Sequence, residues 1–469
     1  MTDRHAASEQ LESCRWMSTW RVFALAVVSC NSGGGPDVDP PPPWFAERTT
    51  ESELVFTHRA ISSSCDKSDS YDGPGVCAFD ANGDGQPDLF FPNRAGAASA
   101  LLLNDRGRFR DVAIEANLAE VGDAIGCLAF DYDGDMDDDL FVTGISSNRL
   151  MRNDDGEFED VTVATGVDVD GYSTTAAAGD IDGDGDLDLF VARMVELDSC
   201  DDACTPLPIN CPTMSSNLLF INEGGTFREA AAERGIPHAD PSLAAIVVDI
   251  EQDGDVDIFV GNDKGYAHPD RLYLNDGSGS FIDVGSSWGV DTLGTDTMGV
   301  AVGDVNEDDL LDMVITDYAG KPSIVYLGAG DSFERGSMDP RSNDFVNWAV
   351  VLADFDHDGH LDLLQTSGSV QPATTGSQSQ LFAGDGSGEL VYIQPTDAGL
   401  TASGRFRGLA LLDYDADGDM DVVVTENGGR ARLFENIVAD GHARVLQPDV
   451  LPYGSGYLGS HFILAAPSP

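Results

Sequence analysis

Between about residue 50 and residue 440, apolar residues fall in short runs separated by turn-forming residues, and the runs recur in a fixed order. The clearest copy lies between Asp249 and Val284. An acidic nonapeptide leads into Ile258-Phe-Val260. A loop follows, then Arg271-Leu-Tyr-Leu-Asn275, the turn Asp276-Gly-Ser-Gly279 and Ser280-Phe-Ile-Asp-Val284. The same hairpin recurs as LLLNDRGRFRDV from Leu101, LMRNDDGEFEDV from Leu150 and LLFINEGGTFREA from Leu218. A further apolar run enters each acidic segment, as Val300-Ala-Val302 does before Gly303-Asp304. Runs this short, bounded by Gly, Asn and Asp, read as strands, and almost no helical periodicity competes with them. Four strands in a repeat of about fifty residues make a propeller blade. Seven repeats predict an all-β, seven-bladed β-propeller. The chain starts mid-blade. Leu54-Val-Phe56 matches the last hairpin strand and Ala431-Arg-Leu-Phe-Glu-Asn436 the strand before it, so the two ends are expected to share one blade and remove the open edges.

The acidic nonapeptide follows the template D-x-D-x-D-G-x-x-D. Loop 1 carries Asp80, Asn82, Asp84 and Asp88 at positions 1, 3, 5 and 9; loop 2 carries Asp131, Asp133, Asp135 and Asp139. Loop 3 has Asp180, Asp182, Asp184 and Asp188, and loop 4 has Asp249, Glu251, Asp253 and Asp257. In loop 5 they are Asp304, Asn306, Asp308 and Asp312; in loop 6, Asp354, Asp356, Asp358 and Asp362; in loop 7, Asp413, Asp415, Asp417 and Asp421. Oxygens at these positions, with a backbone carbonyl at position 7, suit one hard cation such as Ca²⁺. The position-7 carbonyls belong to Gln86, Asp137, Asp186, Asp255, Leu310, His360 and Asp419. Position 12, where an EF-hand needs a bidentate Glu, holds Phe91, Val142, Val191, Val260, Ile315, Gln365 or Val424, so each loop opens a strand.

Position 6 is Gly in five loops, where a tight turn needs φ > 0; Met136 and Asp309 stand there in loops 2 and 5. Those two sites are expected to be the weakest, which gives five to seven bound Ca²⁺. His357 and His360, at positions 4 and 7 of loop 6, read as solvated side chains; position 7 offers only its backbone carbonyl.

Charge reinforces this picture. The formal net charge is −57, from 25 Lys and Arg against 82 Asp and Glu, and 26 of the acids sit at positions 1, 3, 5 and 9 of the seven loops. Seven Ca²⁺ would offset only part of this, so nucleic acid is an unsuitable partner. Nor is the chain a disordered acidic tail, because 42% of its residues are hydrophobic and alternate with turns.

At the N-terminus, Arg21 precedes the apolar run from Val22 to Val28, too short for a transmembrane helix and suited to an export signal over residues 1–29. Met17 gives a conventional signal length. Val27-Val28-Ser29-Cys30 resembles a bacterial lipobox, which predicts lipidation of Cys30; a plain secretory signal is the alternative. Residues 30–50, rich in Gly, Ser and Pro, read as a tether, 51–440 as the propeller and 441–469 as a tail. Export would let Cys65, Cys77, Cys127, Cys200, Cys204 and Cys211 pair. Cys65 with Cys77, and a bridge within 200–211, are the short-range expectations; a zinc site at the last three lacks a fourth nearby ligand.

The loops and hairpins resemble FG-GAP/VCBS repeats such as those of integrin α-subunit propellers. Thr297-Met-Gly-Val-Ala-Val-Gly-Asp304, Gly261-Asn-Asp263 and RLYLNDGSGSFIDV from Arg271 are similar to the ASPIC/UnbV (cartilage acidic protein) family over roughly residues 50–440. The resemblance implies a further β-domain after the propeller. Only Gly454-Ser-Gly-Tyr-Leu458 and His461-Phe462 match its end, so that domain is expected to be largely missing.

The loops that follow each second strand are expected to collect on the face opposite the acid loops, at 92–100, 143–149, 192–217, 261–271, 316–323, 366–380 and 425–431. Six of them carry a base: Arg94, Arg149, Arg193, Lys264 with Arg271, Lys321 and Arg430, with Tyr266 and His268 alongside. Two readings of these bases stay open, a basic spot for an anionic ligand and simple pairing with neighbouring acids. No G-x-S-x-G, H-E-x-x-H or phosphate-binding Gly-rich loop is present. The expected function is an exported, monomeric binding or adhesion module for a protein or glycan, held to the membrane only through a lipid. A polysaccharide hydrolase or lyase and a structural cell-envelope protein are the alternatives.

Overall fold

The computed structural model describes residues 43–59, 73, 75–94, 96–196, 199, 213–263, 265–290, 294–318, 321–338, 346–369 and 376–438. Seven sheets form seven blades. Blade 1 comprises Cys77–Phe79, Asp88–Phe91, Ala100–Asn104 and Phe109–Asp111. Blade 2 comprises Ala124–Phe130, Asp139–Gly144, Arg149–Asp154 and Glu157–Asp160. Blades 3 and 4 begin at Ser173–Gly179 and Ser242–Val248, and their second strands are Asp188–Arg193 and Asp257–Asn262. Blade 5 begins at Gly299–Gly303, blade 6 at Asn347–Ala353 and blade 7 at Phe406–Leu412. Within each blade the four strands pair antiparallel in chain order, so every acid loop joins the first strand to the second.

The packing explains the apolar pattern. Ser242–Val248 and Asp257–Asn262 bury every residue, because each blade lies between two others and both faces are covered. The buried side chains form one cluster per seam and an eighth that gathers Ile125, Tyr172, Leu243, Met298 and Trp348 from several blades. Phe79, Phe90, Leu101, Cys127, Leu140 and Phe158 join blades 1 and 2. Leu54, Phe91, Leu102, Ala410, Val423 and Leu433 join blades 7 and 1 and so close the ring.

Ring closure uses a different strand from the one expected. Phe45–Glu47 pairs with Arg432–Asn436 in the register Phe45↔Asn436 and Glu47↔Phe434. Leu54 and Phe56 are buried in the seam but lie in no strand. The reason is visible in the other blades. Phe109, Phe158, Phe227 and Phe281 stand first or second in the outer strand, and nine residues on stand Leu118, Val167, Ile236 and Val290, each buried after a turn. Phe45 and Leu54 are the same pair; matching apolar runs mistook the anchor after the turn for the strand itself.

Two further features depart from expectation. Cys77 is bonded to Cys127 rather than to Cys65; the Cα atoms are 6.1 Å apart and 50 residues separate them, close to one repeat, so the inner strands of neighbouring blades bring them together. Cys65 and the cysteines of 200–211 lie outside the described residues, as do Cys30 and 441–469. Blade 6 also gains a fifth strand, Ser337–Met338, which follows the outer strand of blade 5 and pairs in parallel with the outer strand of blade 6, Glu389–Ile393.

Candidate metal centres

Each acid loop is organised by its own carboxylates. The position-1 Asp accepts the N–H of positions 5 and 6: in loop 1, Asp84 N donates to Asp80 Oδ1 at 3.0 Å and Gly85 N to Oδ2 at 2.7 Å. The position-5 Asp accepts from position 7, as Gln86 N does to Asp84 Oδ1 at 2.9 Å. Position 6 has positive φ in every loop, including Met136 at 75° and Asp309 at 67°. Position 4 does as well, and there Gln252, Glu307, His357 and Ala416 replace Gly, a demand that the template of acids did not reveal.

The position-9 Asp is the buried anchor. Asp88 Oδ2 accepts from Ala81 N at 3.0 Å and its Oδ1 from Asn104 N at 2.7 Å. The same pair of bonds recurs at Asp139, Asp188, Asp257, Asp312, Asp362 and Asp421. Burial disfavours the charge, backbone donors offset only part of that, and adjacent carboxylates add to it. Asp88, Asp188 and Asp257 are pushed up to about 7, and Asp139, Asp362 and Asp421 to about 8.

Positions 1, 3 and 9 converge. In loops 2, 3, 6 and 7, one oxygen from each of the three Asp side chains lies within 4.8 Å of the others. Asp182 Oδ1 and Asp415 Oδ1, both position-3 atoms, are buried without a hydrogen-bond partner. A buried carboxylate oxygen lacking a donor is an expensive arrangement that a cation would resolve. Hard oxygen donors, mutual repulsion and orphaned acceptors together fit a divalent cation of the Ca²⁺ type. Loops 1 and 5 keep an oxygen at Asn82 and Asn306, and loop 4 places the longer Glu251 there.

Sequence reading missed what joins the loops. The third strand carries an Asn at or next to its end in blades 1, 2, 3, 4 and 7, and each such Asn donates to the position-2 carbonyl of the preceding blade's loop. The bonds are Asn104 to Tyr414 O, 2.8 Å, Asn153 to Ala81 O, 3.0 Å, and Asn222 to Tyr132 O, 2.8 Å. Asn275 to Ile181 O, 2.8 Å, and Asn436 to Phe355 O, 2.9 Å, complete the set. The signal was present in LLLN, LMRN, FIN, LYLN and FEN. Blades 5 and 6 have Gly328 and Gly384 instead, and a Cβ there would meet Leu311 O at 2.6 Å or Leu361 O at 2.2 Å. At those seams side chains of the loops touch, and at the seam of blades 5 and 6 Gly388 N also donates to the position-2 carbonyl Val305 O at 3.1 Å. Gln252 donates to Asp309 O at 2.9 Å, and His360 Nδ1 bonds Glu307. His360 is therefore ion-paired rather than simply solvated, and His357 Nε2 lies 3.5 Å from Asp419.

On the opposite face the described bases are engaged locally. Arg94 lies 3.4 Å from Asp123, and Arg149 3.4 Å from Asp160. Arg193 donates to Asp170 O at 3.0 Å. Arg271 bridges Asp240 and Asp283, at 3.1 and 3.0 Å, and His268 Nδ1 bonds Asp240 at 2.7 Å. Lys321 donates to Asp296 at 2.5 Å, and Arg430 to Glu47 at 2.8 Å. Pairing with neighbouring acids is what this face shows. Tyr266 lies in the one-turn segment Gly265–Ala267, and Lys264 lies outside the described residues.

Seven four-stranded blades with an acid loop after each first strand define an FG-GAP-like repeat β-propeller, and the FG-GAP-like repeat family matches residues 80–142, 131–191, 249–315 and 304–364. The chain is homologous to cartilage acidic protein 1. It is 28% identical to the mouse protein over 210 residues, 44% of this chain and 32% of the mouse sequence, so it matches about a third of that relative's length. Among solved structures, an Agrocybe aegerita lectin that recognises non-reducing terminal N-acetylglucosamine aligns with a TM-score of 0.45 and 16% identity, over 76% of this chain and 86% of its own. A Bacillus licheniformis rhamnogalacturonan lyase aligns at 0.41 and 12%, over 83% and 75%. No helix among the described residues is long and apolar enough to cross a membrane.

Proposed function

We propose that the chain is a calcium-stabilised propeller that works outside the cytoplasm as a non-enzymatic binding or adhesion module for a protein or glycan. The observation that carries the cation is the buried, unpartnered oxygen of Asp182 and of Asp415 among converging carboxylates. Five to seven Ca²⁺ occupy the loops, Asp309 with Asn306 making loop 5 the weakest. Their geometry commits one face of the ring to holding ions. The loops of the other face, which range from the short 143–149 to the long 192–217, are then available for recognition. Attachment of the exported chain through lipidated Cys30 would hold the propeller at the cell surface. The deciding experiment is thermal unfolding in chelator, then with Ca²⁺ or Mg²⁺ restored. An unchanged melting curve refutes the cation, and a glycan and protein array probed with and without chelator identifies the ligand.

A further inference from the structure

Building on that cation reading, we infer that the third-strand asparagines are positioning residues that couple the cation sites of neighbouring blades, so that the loops fill as a linked series. Asn222 shows the device. Its N–H donates to Asp188 Oδ1, the position-9 carboxylate of loop 3, at 2.7 Å. Its Nδ2 donates to Leu187 O in the same loop at 3.1 Å and to Tyr132 O in loop 2 at 2.8 Å. Its Oδ1 accepts from Gly225 N at 2.8 Å, which fixes the amide. Tyr132 N in turn donates to Asp139 Oδ2, the position-9 carboxylate of loop 2, at 3.0 Å. An unbroken path of hydrogen bonds therefore runs from one cation ligand to the next, and Asn222 is buried along it.

A cation that orders loop 3 fixes Asp188, hence Asn222, hence Tyr132. Loop 2 then has less ordering left to complete when its own ion arrives, which is positive coupling through conformational entropy. The same path links blades 1 and 2, 3 and 4, 7 and 1, and 6 and 7. The side-chain brace is absent where Gly328 and Gly384 stand, their N–H groups reaching Asp312 and Asp362 without a side chain to reach back, and at the seam of blades 5 and 6 the position-2 carbonyl of loop 5 is met by a backbone donor instead, Gly388 N to Val305 O at 3.1 Å. The bond from Gln252 and the pair of Glu307 with His360 at those seams are exposed and touch no position-9 carboxylate. The asparagine-linked series thus runs from loop 6 through 7, 1, 2 and 3 to loop 4, and loop 5 lies outside it, joined to blade 6 by the backbone bond of Gly388 rather than by an asparagine.

Loop 2 contains its own reporter. Tyr132 stands at position 2 of loop 2, between the ligands Asp131 and Asp133, so Tb³⁺ bound there is excited through the tyrosine. Tyr414→Phe removes the equivalent tyrosine of loop 7. In that background of the full chain, Asp184→Asn disables loop 3. It is expected to raise the Tb³⁺ midpoint read at Tyr132 about fivefold or more, the lower end of ordinary coupling between sites. Asp308→Asn in loop 5 is expected to leave the midpoint unchanged. With Asn222→Gly, which copies blades 5 and 6, Asp184→Asn is expected to lose its effect. The inference is overturned if Asp184→Asn leaves the midpoint in place, if it moves it equally with and without Asn222→Gly, or if Asp308→Asn moves it as far. Should Asn222→Gly fail to fold, the contrast between Asp184→Asn and Asp308→Asn decides alone. Absent Tb³⁺ emission together with a melting curve indifferent to Ca²⁺ overturns the cation reading itself, and this inference with it.

Discussion

On the face that carries the acid loops, the same hydrogen bonds recur seven times: position 1 caps the turn, and position 9 receives one N–H from its own loop and one from the third strand. On the opposite face the equivalent bases solve their surroundings separately, Arg193 through carbonyls, Arg271 through two carboxylates and Lys321 through Asp296. The difference shows where a repeat is constrained. Under the proposed cation binding, one ion imposes one geometry on its ligands, which accounts for loops that keep one pattern. The loops of the other face differ in length and chemistry. Conversely, the acid face is the costly one without its ions, because it gathers buried carboxylates that cannot all stay charged.

Removing the ions is therefore the most forceful way to break the comparison. Several sites that exist only in the folded state add their binding free energies to stability, about 3 kcal/mol for each site at a hundred times Kd. Chelation is expected to lower Tm by about 10 °C or more, and Ca²⁺ to restore it better than Mg²⁺. Calorimetry in chelator checks it. A fall of only a degree or two would make the acid face an ordinary solvated surface.

The pH response should distinguish the faces next. Without cation, burial raises the position-9 carboxyls in the fold, from about 6 at Asp312 through about 7 at Asp188 to about 8 at Asp421, against an ordinary value near 4 when unfolded. Between those values the folded chain holds more protons than the unfolded chain, so its stability falls as pH rises. Chelated protein is expected to melt lower at pH 8 than at pH 6. With Ca²⁺ bound, the carboxylates are charged in both the folded and the unfolded chain at these pH values, and the dependence disappears. Chelated protein that gains stability between pH 6 and 8 would contradict this account.

Much of this was legible in the residues, for identifiable reasons. The seven acid loops and short strands specify the propeller because their spacing repeats and the position-9 Asp always opens a strand. Asp131, Asp133 and Asp139 converge even though Met136 replaces Gly. What escaped was set by neighbours in space. Cys77 finds Cys127 because the inner strands of blades 1 and 2 are adjacent, which no local spacing discloses. Leu54 imitated a strand because the buried anchor after a turn and an outer-strand residue are equally apolar. The asparagine braces were hidden because Asn beside Asp-Gly or Asp-Asp reads as ordinary hairpin turn chemistry.

A brace can be cut without touching a cation ligand. Asn222→Gly leaves the N–H to Asp188 but strips donors from Tyr132 O and Leu187 O and the acceptor from Gly225. Buried carbonyls left without partners predict a loss of about 2 kcal/mol, measurable by denaturant unfolding with Ca²⁺ present. Replacement of Arg152, whose bond to Glu159 is exposed, should cost about 0.5 kcal/mol or less. Equal losses would mean that the braces add nothing to the acid face.

The smallest effect concerns position 6. Met136 holds φ at 75° with its side chain 90% exposed, so the side chain packs on little and the strain lies in the backbone. Gly85 occupies the same place in loop 1, and a Cβ added there would meet nothing within 4 Å. The two positions differ only in who bears the left-handed conformation, which costs an L-residue about 1 kcal/mol. Met136→Gly should stabilise the Ca²⁺-bound protein by about 0.5 to 1 kcal/mol, somewhat reduced by the freer unfolded chain, and Gly85→Ala should destabilise it by a similar amount. Opposite signs in parallel unfolding curves are the required result. If both substitutions shift stability the same way, the glycine preference at position 6 arises from something other than φ, such as the approach of solvent or of a neighbouring chain to the loop.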